Sequence, residues 1–296
     1  MSGSVLFDAP GPRGRRRILV GSLIGGVVLL AVLAWVVWQL DRHHQFVYRP
    51  NWWVFTDPGI QRLLLRGYWA TIKAAALAIA LSLLFGAVFA SLRLSDHAPL
   101  RWIATVVVEF FRAVPLLLLM LFLFFGFADQ LRPLGNLVNA RPPDAYGAVV
   151  VGLTLYNGSV LAEVFRAGIL ALPRGQTEAG YALGLRKVQL MRLVLVPQAA
   201  RLMLPAIVSQ CVVALKDSAL GFVVGYVELL RSGKFIYNQY SNIIPTAIVV
   251  AAMFIVTNMV LTGLASWLER RTRKVPKEAK KVGLTAGEEM GQAATV

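Results

Sequence analysis

Residues Ile18 to Trp38 form an unbroken run of 21 residues without a charge. A helix of about 20 residues crosses the roughly 30 Å hydrocarbon core of a bilayer, satisfying its own backbone polar groups on the way. The run follows Arg13, Arg15, Arg16 and Arg17 and closes on Trp35 and Trp38. A secretory signal also opens on basic residues, but its apolar stretch is only about 7 to 15 residues and ends at small residues. This segment, 18–38, is therefore read as an uncleaved span with an aromatic belt at its far end. Five more runs follow: roughly 67 to 92 with Lys73 inside it, about 107 to 128, Ala145 onward through Glu163 and Arg166 toward Ala171, Leu202 to Val227 around Lys216 and Asp217, and Pro245 to Leu268. The expected fold is an all-α integral membrane protein of about six transmembrane helices.

Charge distribution orients it. The chain carries 30 Lys and Arg against 15 Asp and Glu, yet only 15% of its residues are charged and 57% are hydrophobic, which excludes disorder and argues against a soluble enzyme. Six crossings put both termini on one side of the membrane. With the N-terminus inside, the cytoplasmic segments hold 19 basic residues and the opposite side 8. The positive-inside rule then makes residues 1–17 a basic cytoplasmic N-terminus, 39–66 an extracellular loop and 269–296 a charged cytoplasmic tail suited to anionic lipid. Because the basic residues lie between and after apolar runs, no nucleic-acid partner is expected. Cys211 is the only cysteine, and no Cys and His cluster has metal-ligand spacing, so neither an internal disulfide nor a metal or other cofactor is expected. His43 and His44 beside Asp41 read as surface residues. Gly21 and Gly25 form a GxxxG pair, a helix contact or a chance pattern in a Gly-rich span.

Between spans four and five, residues 168–201 are patterned unlike a linker. Pro173, Gly175 and Thr177 read as a breaker and N-cap, followed by a short helical stretch from Glu178 to Leu183, with Glu178 suited to the first turn. Gly184 is placed to take a left-handed C-terminal conformation. A second stretch, Lys187 to Val196, sets Leu190, Leu193 and Val194 at helical spacing, and Pro197 ends it or starts the next element. The pattern predicts a compact cytoplasmic helical hairpin; by pattern alone it also suits an interfacial tie between two spans.

Taken as Glu178, Ala179, Gly180, three residues, Gly184, nine residues, Val194, one residue, Val196 and Pro197, the hairpin resembles the EAA signature of permease subunits of binding-protein-dependent ATP-binding-cassette importers. Gly180, Val194 and Val196 depart mildly from it. Leu155 to Gly168, Pro173 to Gln176 and Leu215 to Ser218 are similar to the polar amino-acid branch, as is Glu109 to Leu117, although Ala113 and Val114 replace its usual Gly and Thr. The resemblance covers roughly 64 to 270, within a permease domain at 67–268. The extra first span and the tail look like the actinobacterial glutamate-permease variant. What this implies is a bacterial plasma-membrane subunit importing a polar amino acid, glutamate first. Its partners would be two cytoplasmic ATP-binding subunits, a second permease chain, identical or homologous, and an extracellular solute-binding protein. The chain contains no G-x-x-x-x-G-K-[ST], so hydrolysis falls to the partner and the chain is expected to be a transducer rather than an enzyme. In the family the helix at Glu178 is the coupling helix that docks in a cleft of the ATPase; the resemblance implies that Ala179, Gly180 and Gly184 permit close approach, that Gly184 sets the turn, and that Pro197 completes the ATPase-coupling set.

Polar residues inside spans are costly, hence functional candidates. Asn157, Gln210, Lys216, Asp217 and Ser218 form the set available to line a substrate path. Asn157 and Ser159 serve equally as interhelical glue, and Lys216 and Asp217 as helix locks. Glu163 and Arg166, three residues apart, read as a structural salt bridge, and Arg112 as balanced by Glu109. An alternative function is an ATP-independent secondary transporter or channel-like protein, against which the hairpin and the lack of an evident inverted repeat weigh. A membrane enzyme lacks a catalytic constellation.

Overall fold

A computed structural model describes residues 11–47 and 51–272; the expectations for residues 1–10 and for the tail beyond Thr272 lie outside them. The described residues are mostly helical and contain no strand. In chain order they form α1 (Pro12–Arg42), a short 3-10 turn (Trp53–Thr56), α2 (Pro58–Arg93), α3 (Ala98–Ala113), α4 (Leu116–Leu137), α5 (Pro143–Leu170), α6 (Arg174–Ala182), α7 (Lys187–Leu190), α8 (Val196–Asp217), α9 (Leu229–Tyr240) and α10 (Ile243–Thr272). Among them, six helical stretches are long and apolar enough to cross a membrane, in the order expected.

Two boundaries differ from the sequence reading. Helix α2 begins at Pro58, so much of 39–66 is helix rather than loop. The cause is local: the Asp57 carboxylate accepts the N–H groups of Gly59 and Ile60 at 2.6 and 3.2 Å, and Pro58 supplies a first helical residue that needs no acceptor. The third crossing, expected as one helix over 107–128, is broken. Pro115 has no N–H for a continuing helix and pushes Val114 into extended backbone (φ −76°, ψ 126°), so α3 stops and α4 starts afresh, running past Asp129 to Leu137. The aromatic residues of α4 split by face: Phe124 packs on the core, whereas Phe122 and Phe125 are exposed.

Helix α5 is the core of the molecule, with Tyr146, Val149, Val150, Leu153 and Leu161 buried. Lipid is as apolar as leucine, so helices associate here through close packing rather than exclusion of water. Two glycines permit it. A Cβ on Gly147 would lie 2.5 Å from the Leu131 carbonyl oxygen of α4, and one on Gly158 would lie 2.8 Å from the Phe85 ring of α2. By contrast, the membrane-crossing part of α1 is not buried against the rest of the chain, and its Gly21 and Gly25 face nothing within 4 Å.

On the membrane side opposite the hairpin, α9 is seated by Glu228, whose fully buried carboxylate accepts the N–H groups of Leu230 and Arg231, both at 2.7 Å. Burial pushes its pKa from 4.5 up to about 7. Because the folded value is the higher, the native state holds this proton more tightly, and stability falls as pH rises from about 4.5 to about 7, then levels off. The purified chain is expected to melt at a higher temperature at pH 5 than at pH 8, and Glu228→Gln to flatten that slope in a thermal unfolding series.

Candidate functional site

The hairpin is present and compact. Helix α6 begins at Arg174, earlier than expected, with Pro173 rather than Thr177 at its N-cap, so Glu178 sits past the first turn and its charge gains little from the helix dipole. At the other end the Gly184 N–H bonds to the Tyr181 carbonyl at 2.9 Å and the Leu185 N–H to the Gly180 carbonyl at 3.1 Å, the paired bonds of a Schellman motif. That motif needs left-handed backbone, and Gly184 has φ +75°. Gly180 is needed for a different reason: a Cβ there would stand 2.4 Å from Leu190 Cδ1, so its absence lets α6 lie against α7. Glu178 and Ala179 stay exposed, together with Leu183 and Val188 at 81% and 66% exposure. Apolar side chains held in the open on a folded hairpin are what a docking surface requires.

The second arm does not end before span five. Residues Met191–Leu195 form one wide π turn that carries α7 directly into α8, and the Val196 N–H bonds to the Met191 carbonyl. Pro197 explains the widening: its ring would collide with the Leu193 carbonyl in a regular α-helix, and the extra residue moves that carbonyl aside. Hairpin and span thus form one continuous rod. Its base is tied to the α2–α3 loop, where Lys187 Nζ donates to the Leu94 carbonyl at 2.9 Å and to the Asp96 carboxylate. That ammonium holds the Asp96 carboxyl below the usual carboxylate range.

Just inside the hairpin lies an ionic network. Glu163 bonds Arg166 at 2.6 Å and Arg93 at 2.8 Å; Arg93 reaches on to Glu109 at 3.3 Å, which also meets Arg112 at 3.3 Å. The pairs Glu163–Arg166 and Glu109–Arg112 are the two expected from spacing. Arg93, which joins them and is only 9% exposed, was missed as a site residue. Its one sequence signal is its place as the first charge after the uncharged run 74–92.

The intramembrane polar residues do not form one cluster. Asn157 is fully buried; its amide donates to the Leu153 carbonyl at 3.2 Å and its oxygen accepts from Gln210 at 2.5 Å, linking α5 to α8. Ser159 donates to the Leu155 carbonyl within α5, and Ser218, the residue after α8, donates back to the Leu215 carbonyl. Lys216 and Asp217, expected near the centre of span five, are the last two residues of α8, and a 3-10 turn over Ser218–Phe222 carries the apolar stretch on beyond them. They are six and seven residues past Gln210, about 10 Å along the helix. Lys216 is exposed and lines a groove of about 500 Å³ between α8, α9 and α10 with Tyr237 and Asn258.

The arrangement is a set of membrane-crossing helices with a compact hairpin that runs continuously into one of them. Residues 82–274 match the family of binding-protein-dependent transport system inner membrane components. The chain belongs to that family and is a permease subunit of an importer. It is 45% identical over 237 residues to a glutamate transport system permease protein of Corynebacterium glutamicum, across 79% of this chain and 82% of the relative. A glutamate/aspartate import permease of Escherichia coli O157:H7 is 30% identical over 71% of this chain and 93% of its own length. Among solved structures, an amino acid ABC transporter crystallised with histidines superposes with a TM-score of 0.63 at 31% identity, over 71% of this chain and 94% of that one. The methionine transporter MetNI, at 20% identity and a TM-score of 0.59, shares the fold.

Proposed function

We propose that this chain forms, with a second permease chain, the path by which glutamate enters a bacterial cell, driven by two ATP-binding subunits on the cytoplasmic face and fed by an extracellular solute-binding protein. The observation that carries the mechanism is the unbroken rod from Lys187 to Asp217 beneath a Schellman-turned hairpin. The substrate rests on the 45% identity to a glutamate permease. Glu178, Ala179 and the exposed apolar residues of the hairpin dock in the ATPase; Gly180 and Gly184 give the hairpin its shape, and Pro197 sets the joint to α8. Rotation of the ATPase then swings α8 as a lever. Gln210, Lys216 and Asp217 are the polar groups of α8 offered to substrate, Lys216 complementing a side-chain carboxylate and Asp217 the ammonium, while Asn157 and Ser218 hold the packing around them. Uptake of labelled glutamate, glutamine, arginine and histidine in cells with and without the gene is the test. Loss of glutamate uptake alone is expected; loss of arginine or histidine uptake alone removes glutamate and leaves the importer.

The hairpin, with both termini, lies in the cytoplasm in this proposal. In a Cys211→Ala background, His44→Cys is expected to react with an impermeant thiol reagent on intact cells and Val188→Cys only after lysis. The opposite pattern inverts the orientation.

A further inference from the structure

Opposite the hairpin side, α2, the α4–α5 connection and residues 226–232 enclose a cavity of about 610 Å³ lined by Arg62, Arg66, Lys73 and Arg141, and by no carboxylate. None of these four cations makes an ion pair among the described residues. On α2, Arg62, Arg66 and Lys73 fall within about 40° of one another around the helix, so they form a stripe. The same cavity is lined by Tyr146, 1% exposed, whose hydroxyl finds no partner in the protein. The neighbouring Tyr226 hydroxyl is already committed to the Ala70 carbonyl at 2.9 Å. A buried donor left unpaired beside four unneutralised cations describes a site completed by an anion.

Depth identifies the anion. The uncharged run 74–92 has 19 residues, about 28 Å of helix, and ends at Arg93 on the hairpin side, so Lys73 stands at the other hydrocarbon boundary. The headgroup layer that holds phospholipid phosphates begins there, and Arg66 and Arg62 extend into it. Trp69, 58% exposed, and Leu65, 53% exposed, flank the cations and offer apolar surface for an acyl chain. A choline or ethanolamine headgroup would bring its own cation into a site that has four. We propose that this cavity binds the headgroup of an anionic phospholipid, its phosphate accepting from the Tyr146 hydroxyl within the positive field of Lys73, Arg66, Arg62 and Arg141.

The test is native mass spectrometry of the full chain in detergent, titrated with phosphatidylglycerol or phosphatidylcholine. Phosphatidylglycerol is expected to be retained and phosphatidylcholine released. Arg66→Gln with Lys73→Gln is expected to weaken retention about fivefold for each cation removed. Tyr146→Phe, which keeps the ring in place, is expected to weaken it about threefold or more through the lost hydrogen bond, and decides the matter if the double variant does not fold. Equal retention of the two lipids, or unchanged phosphatidylglycerol retention in Tyr146→Phe, overturns the proposal. Displacement by 10 mM inorganic phosphate makes the site one for small anions, and displacement by 10 mM glutamate makes it part of the substrate path; either result overturns it too.

Discussion

Replacing Gly184 by valine is expected to cut ATP-driven uptake about tenfold or more while leaving the amount of chain in the membrane unchanged. Left-handed backbone costs an ordinary L-residue roughly 1–2 kcal/mol, and a β-branched one more, so the Schellman turn at φ +75° opens in a large share of molecules. The spans do not depend on that turn. A Cβ at 184 meets nothing within 4 Å, so within the chain the loss comes from the backbone and not from crowding. Gly184→Asn separates this from a clash with the ATPase, because asparagine enters the left-handed region readily. Uptake within about twofold of wild type for asparagine, alongside the loss for valine, identifies the turn. Equal loss in both identifies a docking surface too tight for any side chain. Normal uptake by Gly184→Val would show that the hairpin transmits nothing.

What the sequence made legible follows the range of the forces involved. Spans one, two, four and six are read from runs of uncharged residues, and the hairpin from glycines and a proline at fixed offsets, all local signals. Pro115 was also in view, but 16 uncharged residues from Ala113 to Ala128 invited a single span across it, when the proline's missing N–H and its clash with the preceding turn end one helix and begin another. The early start of the helix that carries Lys216 and Asp217 has a related cause. Arg192 and Arg201 end the apolar run at Leu202 as composition, yet they do not end the helix, which the π turn carries through them from Lys187. Arg93 was illegible for another reason. Its partner Glu163 is 70 residues away, and no periodicity within α2 reports a charge on α5.

That long-range pairing makes the second large effect. Arg93 is 9% exposed and Glu163 27%, at the membrane end where α2, α3 and α5 meet. Removing one partner of a buried ion pair typically costs about 3–5 kcal/mol, because the other charge is left desolvated, whereas replacing both by apolar residues of similar volume is often close to neutral. Arg93→Met leaves Glu163 with Arg166 and Glu109 with Arg112, so it is expected to be the milder single change. Glu163→Met strands Arg166 and leaves Arg93 only its 3.3 Å contact to the half-exposed Glu109, and is expected to lower the yield of monodisperse protein severely. The double variant removes both desolvated groups, and Arg166 at 31% exposure can turn toward water, so it is expected to melt well above Glu163→Met. Additive losses in that cycle would mean the two residues do not act as a unit. If the double variant folds but imports nothing, the network has a second role. That role would be to hold α2 and α3 to α5 at the level from which the hairpin departs, so that force on the hairpin turns the helices against one another and is not lost in slack between them.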